Sequence, residues 1–120
     1  MSKGLRDEDY LDHIQDAISK IQRFTAGKSE SDFAADELLH DAVIRNLEVI
    51  GEAVAKLSPG LRSSHADVPW VDIAGMRNRL IHGYMTVNLG IVWSTVEKVL
   101  PGFQAKISEI QADAGPAPEA

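Results

Sequence analysis

Leu39, Val43, Leu47, Ile50, Val54 and Leu57 step by 4, 4, 3, 4 and 3 positions. Only a helix returns side chains at those intervals to one face, and strand alternation is excluded. The stripe predicts a long helix from about Ser31 to Lys56, ended by Ser58-Pro59-Gly60. A helix of that length with one apolar face must bury it against other elements, so the rest of the chain has to supply partners.

Those partners are also helical. Tyr10, Leu11, Ile14, Ala17, Ile18, Ile21 and Phe24 recur at helical intervals between Asp7 and Phe24, with Gly27 as the stop. LRSSHADVP reads as a connection with at most one helical turn. Trp70, Ile73, Met76, Leu80 and Ile81 predict a third helix from Pro69 toward His82, terminated by Gly83. A fourth is expected to start at Asn88 as N-cap and to carry Val92, Val96, Val99 and Leu100. Pro101-Gly102 is expected to break or sharply kink the chain before Phe103, Ile107 and Ile110 continue the stripe. From Asp113 the segment DAGPAPEA has no apolar period and reads as disordered.

No segment alternates apolar and polar residues and no repeat is present, so the expected class is all-α, an up-and-down bundle of four to five helices. One domain over 1–112, followed by a disordered tail over 113–120, suits a chain of 120 residues. Ile44 and Val49 lie off the main stripe of the second helix, and Ile91 and Trp93 off that of the fourth. A second apolar surface of that kind predicts a homodimer interface.

Composition narrows the function. A net charge of -6 excludes a protein coated in positive potential, so any nucleic-acid site must be local. Zero cysteines excludes disulfides and thiolate metal sites. His13, His40 and His65 stand on separate segments with no two at ligand spacing, so neither a metal site nor a cofactor is expected. There is no apolar run of membrane-spanning length, and MSKGLRDEDY lacks the apolar core of a secretory signal. A cytoplasmic location is the expectation.

Against that acidic background, RNRLIHGY gathers Arg77, Asn78, Arg79, His82 and Tyr84. On a continuous helix Asn78 and His82 would share a face one turn apart, where the amide can orient the imidazole. Arg77, five residues before His82, would sit roughly 140° away around the axis, a span that a long arginine at a helix end can bridge. A guanidinium and an imidazole are what phosphodiester cleavage without metal needs: one holds phosphate oxygens, the other exchanges a proton near neutral pH. The bland alternatives are surface ion pairs for Arg77 and Arg79, a dipole-facing helix-end histidine, and a packed tyrosine. Arg45, Glu48 and Glu52, at spacings of three and four, either line a cleft or pair along their helix, and Arg79 is a further candidate to line that cleft. Trp70 and Trp93 read as core or interface anchors.

RNRLIHGY resembles the R-x4-H-x-Y motif of the HepT-like proteins, a branch of the HEPN superfamily, with Arg77, Asn78 and His82 in order and spacing. IRNLEVIGEAVAKL, VPWVDIAGM and VNLGIVWSTVEKVLPGF are similar to the segments that flank the motif in that family, so the resemblance covers roughly Asp7 to Ile110. It implies a HEPN-like helical bundle that dimerises with two motifs facing one another across a cleft. It also implies a toxin, a metal-independent endoribonuclease partnered with an MNT-type nucleotidyltransferase antitoxin. Carried onto this chain, Arg77 would hold the scissile phosphate of the RNA substrate and His82 act as general acid or base. Asn78 would position histidine or substrate, and Tyr84 would be the candidate for AMP addition by the antitoxin. A rival implication is a catalytically inert HEPN module that binds a nucleotidyltransferase or a nucleotide through the same residues. A third reading is a helical dimer with a structural role alone.

Overall fold

The computed structural model describes residues 5–82 and 86–114, with the backbone alone of Arg77, Leu80, Ile81, His82, Thr86 and Ala114. Helix α1 spans Asp7–Thr25 and buries Leu11, Ile14, Ala17, Ile18 and Ile21. Asp9 Oδ2 accepts from the Arg6 backbone N–H at 2.9 Å, and Asp7, Glu8 and Asp9 place negative charge at the positive end of the helix dipole. Gly27, at φ 72, supplies the left-handed turn that ends the run.

The helix expected from about Ser31 to Lys56 is two helices. A capping box opens α2, Glu30–Ala34: Ser29 Oγ accepts from Asp32 N–H at 3.1 Å and Asp32 Oδ2 from Ser29 N–H at 2.9 Å. Those bonds to Ser29 hold the Asp32 carboxyl below its usual pKa. Asp36 then caps a new start, accepting from Leu39 N–H at 3.1 Å, and α3 runs Glu37–Lys56. Phe33, fully buried, fixes the corner between them, with ring centroids 4.9 Å from His40 and 5.4 Å from Trp93.

Ser58-Pro59-Gly60 both ends α3 and opens α4, Pro59–Ser64, which is slightly longer than the single turn expected there. Ser58 Oγ accepts from Leu61 N–H at 3.2 Å, and Pro59 occupies a first-turn position where its missing N–H has no helical partner to lose. Ser58 also donates from its N–H and hydroxyl to the two carboxylate oxygens of Asp7, at 2.8 and 2.6 Å, joining the start of α1 to the end of α3. These two helices are therefore antiparallel.

The predicted third helix is also divided. α5 is Trp70–Ala74, α6 is Met76–Leu80, and the chain then leaves the helix as strand β1, Ile81–His82, paired antiparallel with β2, Thr86–Val87. Asn88 Oδ1 accepts from Ile91 N–H at 3.0 Å and starts α7, Leu89–Ser94, as its sequence position predicts.

Pro101 does not break or sharply kink the chain. A π-helical turn over Thr95–Val99 leads directly into α8, Leu100–Ala114, with Leu100 N–H bonded to the Thr95 carbonyl five residues back. The wider turn just before the proline gives its ring room in the helix, where an α-turn would bring a carbonyl against it. Asp113 and Ala114, expected in the disordered tail, complete α8. The remainder of that tail, 115–120, lies outside the described residues.

Among the described residues the fold is all-α apart from the two-residue strands, with more and shorter helices than the four or five expected. α8 lies antiparallel on α1 along an amide seam: Gln22 to Gln104 at 2.8 Å, Gln15 to Ser108 at 2.9 Å and Gln111 to Asp12 at 3.1 Å. Trp93, expected on a second apolar surface, is buried, only 7% exposed, while Ile44 and Val49 pack half-buried against the core and Ile91 remains 40% exposed. Among the described residues no helix is long and apolar enough to cross a membrane.

Candidate active site

The motif segment is held from both ends. On its N-terminal side Trp70, Ile73 and Met76 are buried, with Met76 only 2% exposed, so α5 and the first residue of α6 are anchored in the core. Trp70 Nε1 donates to the His65 carbonyl at 3.0 Å and the ring stands edge-on to Phe103, centroids 6.2 Å apart. Behind this segment Gly51 of α3 faces the end of α5. A Cβ at position 51 would stand 3.4 Å from the Ala74 carbonyl oxygen and 3.6 Å from that of Ile73. On the C-terminal side, β1 is tied to β2 and half-buried Val87 packs against the core.

Gly75 interrupts the helix at the centre of this arrangement. Its N–H bonds to the Val71 carbonyl at 2.9 Å, and Asn78 N–H bonds to the Gly75 carbonyl at 3.1 Å, a tighter turn than the α-helix. Arg79 folds back over the interruption, its Nη2 donating to the Asp72 carbonyl at 3.1 Å. Asn78 and Arg79 are exposed.

The geometry expected for Asn78 and His82 is therefore corrected. They do not lie one turn apart on a continuous helix, because α6 ends at Leu80 and His82 belongs to β1, with Thr86 as its register partner. Arg77, on α6, and His82 still fall on consecutive elements of one anchored segment. Tyr84 and Gly83 lie outside the described residues. Arg79, for which a surface ion pair was the alternative reading, donates instead to the main-chain oxygen of Asp72.

Arg45 lines a groove of about 400 Å³ between α1 and α3, together with His13, Asp16, Lys20 and Asn46. Six residues separate it from Gly51, a rotation of about 120° around α3, so it projects from a different face than the one supporting the motif. Glu48 is half-buried and only about 60° from Gly51 by the same rotation, and Glu52 is exposed. Of the three, Glu48 is the one that α3 turns toward the motif side.

The residue types on this segment suit phosphate chemistry: a guanidinium, an imidazole and an exposed amide, on a frame whose backbone is fixed by burial and strand pairing. Among the described residues no group of three His, Asp or Glu is placed to hold a metal ion. His13 stands edge-on to the Tyr10 ring, His40 bonds the Phe33 carbonyl through Nε2, and His65 lends its carbonyl to Trp70.

Two supports went unread in the sequence, Gly51 and the Arg79 back-bond. Gly51 had a signal: a glycine inside a strongly apolar helix lowers helix stability by about 1 kcal/mol relative to alanine, so it calls for a packing reason. The Arg79 bond had none, because its acceptor exists only once Gly75 interrupts the helix.

Residues 14–110 match the family described as Ribonuclease HepT-like. The chain belongs to that family. Two relatives match over most of their length. A protein of Caldanaerobacter subterraneus subsp. tengcongensis, provisionally named an RNase, is 43% identical over 101 residues, which cover 84% of this chain and 90% of that protein. The protein of Thermococcus cleftensis named Probable ribonuclease HepT is 36% identical over 104 residues, 87% of this chain and 94% of its own length. A third, from Methanocaldococcus jannaschii, is named a gamma-glutamylcyclotransferase and provisional RNase and is 39% identical, but this chain spans only 47% of it. No solved structure gives a significant match to this HepT-like chain.

Proposed function

We propose that this HepT-like chain is a metal-independent endoribonuclease and the toxin of a toxin-antitoxin pair. The observation that carries the reading is the match over residues 14–110 to HepT-like ribonucleases, with Arg77 and His82 on consecutive elements of one anchored segment. Arg77 holds the non-bridging oxygens of the scissile phosphate and stabilises the charge that develops there. The 2′-hydroxyl attacks phosphorus as a base takes its proton, the P–O5′ bond breaks, and the departing oxygen receives a proton. His82 serves this exchange as general acid or base, and Asn78 positions it or the substrate. The products are a 2′,3′-cyclic phosphate and a 5′-hydroxyl end.

Two copies bring their motifs together, so that one supplies the base where the other supplies the acid. An MNT-type nucleotidyltransferase partner silences the site by joining AMP from a nucleoside triphosphate to the Tyr84 oxygen, with pyrophosphate leaving. The added phosphate occupies Arg77 and repels RNA.

The test is cleavage of RNA in EDTA by the wild-type protein and by His82→Ala, with the product ends identified. Cyclic phosphate ends that vanish in the variant support the assignment. A folded, unmodified protein that cuts none of a broad set of RNAs would replace it with the inert module that binds a nucleotidyltransferase or nucleotide.

A further inference from the structure

A short helix interrupted by glycine is a poor platform for chemistry unless something locks the interruption. α5 and α6 are five residues each, below the length at which a helix holds itself, and their shared axis is broken at Gly75. In an unbroken helix the Asp72 carbonyl would accept from Met76 N–H; here it accepts from Arg79 Nη2 at 3.1 Å. The donor is a fixed cation at the negative end of α5, so hydrogen bond and helix dipole act in the same sense.

We propose that Arg79 is a positioning residue: by clasping the Asp72 carbonyl it fixes the angle between α5 and α6, and with it the placement of the Arg77–His82 segment on the core. The inference rests on the ribonuclease reading for its effect on catalysis, but not for the clasp itself. Three observations converge on it. Met76 is buried immediately after the interruption, so the start of α6 is packed in the core. β1 is paired to β2 immediately after α6, so the other end of the segment is held as well. The remaining freedom is rotation about Gly75, and the Arg79 bond spans that joint, seven residues back along the chain.

A residue with this role differs measurably from one that touches RNA. Loss of a phosphate contact weakens binding and lowers the salt dependence of affinity by about one unit of log-log slope. Loss of positioning lowers turnover, since a misplacement of about 1 Å costs on the order of 100-fold.

The experiment compares wild type, Arg79→Ala and Asp72→Asn in steady-state RNA cleavage at several salt concentrations, together with amide hydrogen exchange. The expected result for Arg79→Ala is a fall in kcat of about 10- to 100-fold with KM and its salt slope unchanged. Exchange should accelerate at Asn78 and its neighbours in α6 but not in α1 or α3. Asp72→Asn should match wild type, because the acceptor is the backbone. A raised KM with a shallower salt slope and unchanged kcat would overturn the proposal, as would a lowered Tm with unchanged kcat. If the wild-type protein cuts no RNA, the ribonuclease reading falls and exchange alone decides: local acceleration upholds the clasp, and its absence overturns it.

Discussion

A β-carbon on Gly51 would stand 3.4 Å from the carbonyl oxygen of Ala74, so the helix that forms the core and the segment that carries the motif meet backbone to backbone. That distance is ordinary contact for one carbon and leaves no space for more. Gly51→Ala should therefore stay within about 1 kcal/mol of wild type, the better helix propensity of alanine offsetting the tighter contact. Gly51→Leu should cost about 1–3 kcal/mol and push the α5–α6 segment outward, lowering RNA cleavage more than stability alone explains. Denaturant titration paired with cleavage rates checks both; a leucine variant with unchanged activity would remove Gly51 from the support of the site.

Asp7 and Ser58 form a second joint, with Ser58 also capping α4. Asp7→Ala leaves two Ser58 donors without their charged acceptor and should destabilise by about 1.5–3 kcal/mol. Ser58→Ala should lose that hydroxyl bond and the cap together. The double variant should be markedly less destabilised than the sum of the singles, and strict additivity in a double-mutant cycle would contradict the pairing.

The π turn before Pro101 exists to accommodate the ring. Pro101→Ala removes the steric demand and restores a donor within the helix, where proline costs up to about 3 kcal/mol relative to alanine. Tm should rise or hold, and a pronounced fall would mean that the wide turn has another cause.

Lys106 Nζ lies 2.8 Å from Asp67 Oδ2 and joins α8 to the loop before α5. The bond to Lys106 holds the Asp67 carboxyl below its usual range, and the bond to Asp67, with the nearby Glu109, raises the Lys106 ammonium. The Asp67 contribution is present above the ordinary carboxylate pKa and is lost as pH falls through its lowered value. The Lys106 contribution is present below the ordinary ammonium pKa and is lost as pH rises through its raised value. Asp67→Asn should lower Tm slightly at neutral pH, and the difference should vanish in strong acid, in strong alkali and at high salt.

The elements that were legible in sequence carry their own signals. The α1 stripe, the Gly27 stop and the Asn88 cap each state a local preference that the fold keeps. The division between α2 and α3 was hidden because the apolar stripe begins only at Leu39, and Asp36 before it suits a surface position on a longer helix as well as a cap. Pro101 was misjudged for the opposite reason: its local preference is to break a helix, but the packing of Phe103, Ile107 and Ile110 outweighs the cost of a widened turn. At the site, residue types could be picked out and geometry could not. Arg77, Asn78 and His82 stand out by type, whereas the interruption at Gly75 and the strand at His82 replace a helical spacing that the apolar residues from Trp70 to Ile81 also satisfy.

Trp70, which floors the motif segment, rests edge-on against Phe103, a residue that follows the motif in the chain. A growing polypeptide thus displays Arg77 and His82 before it owns the aromatic ring and the α8 seam that hold α5 in place. During synthesis the motif residues exist without their scaffold, so the order of translation itself delays a fixed motif geometry until α8 has emerged and docked.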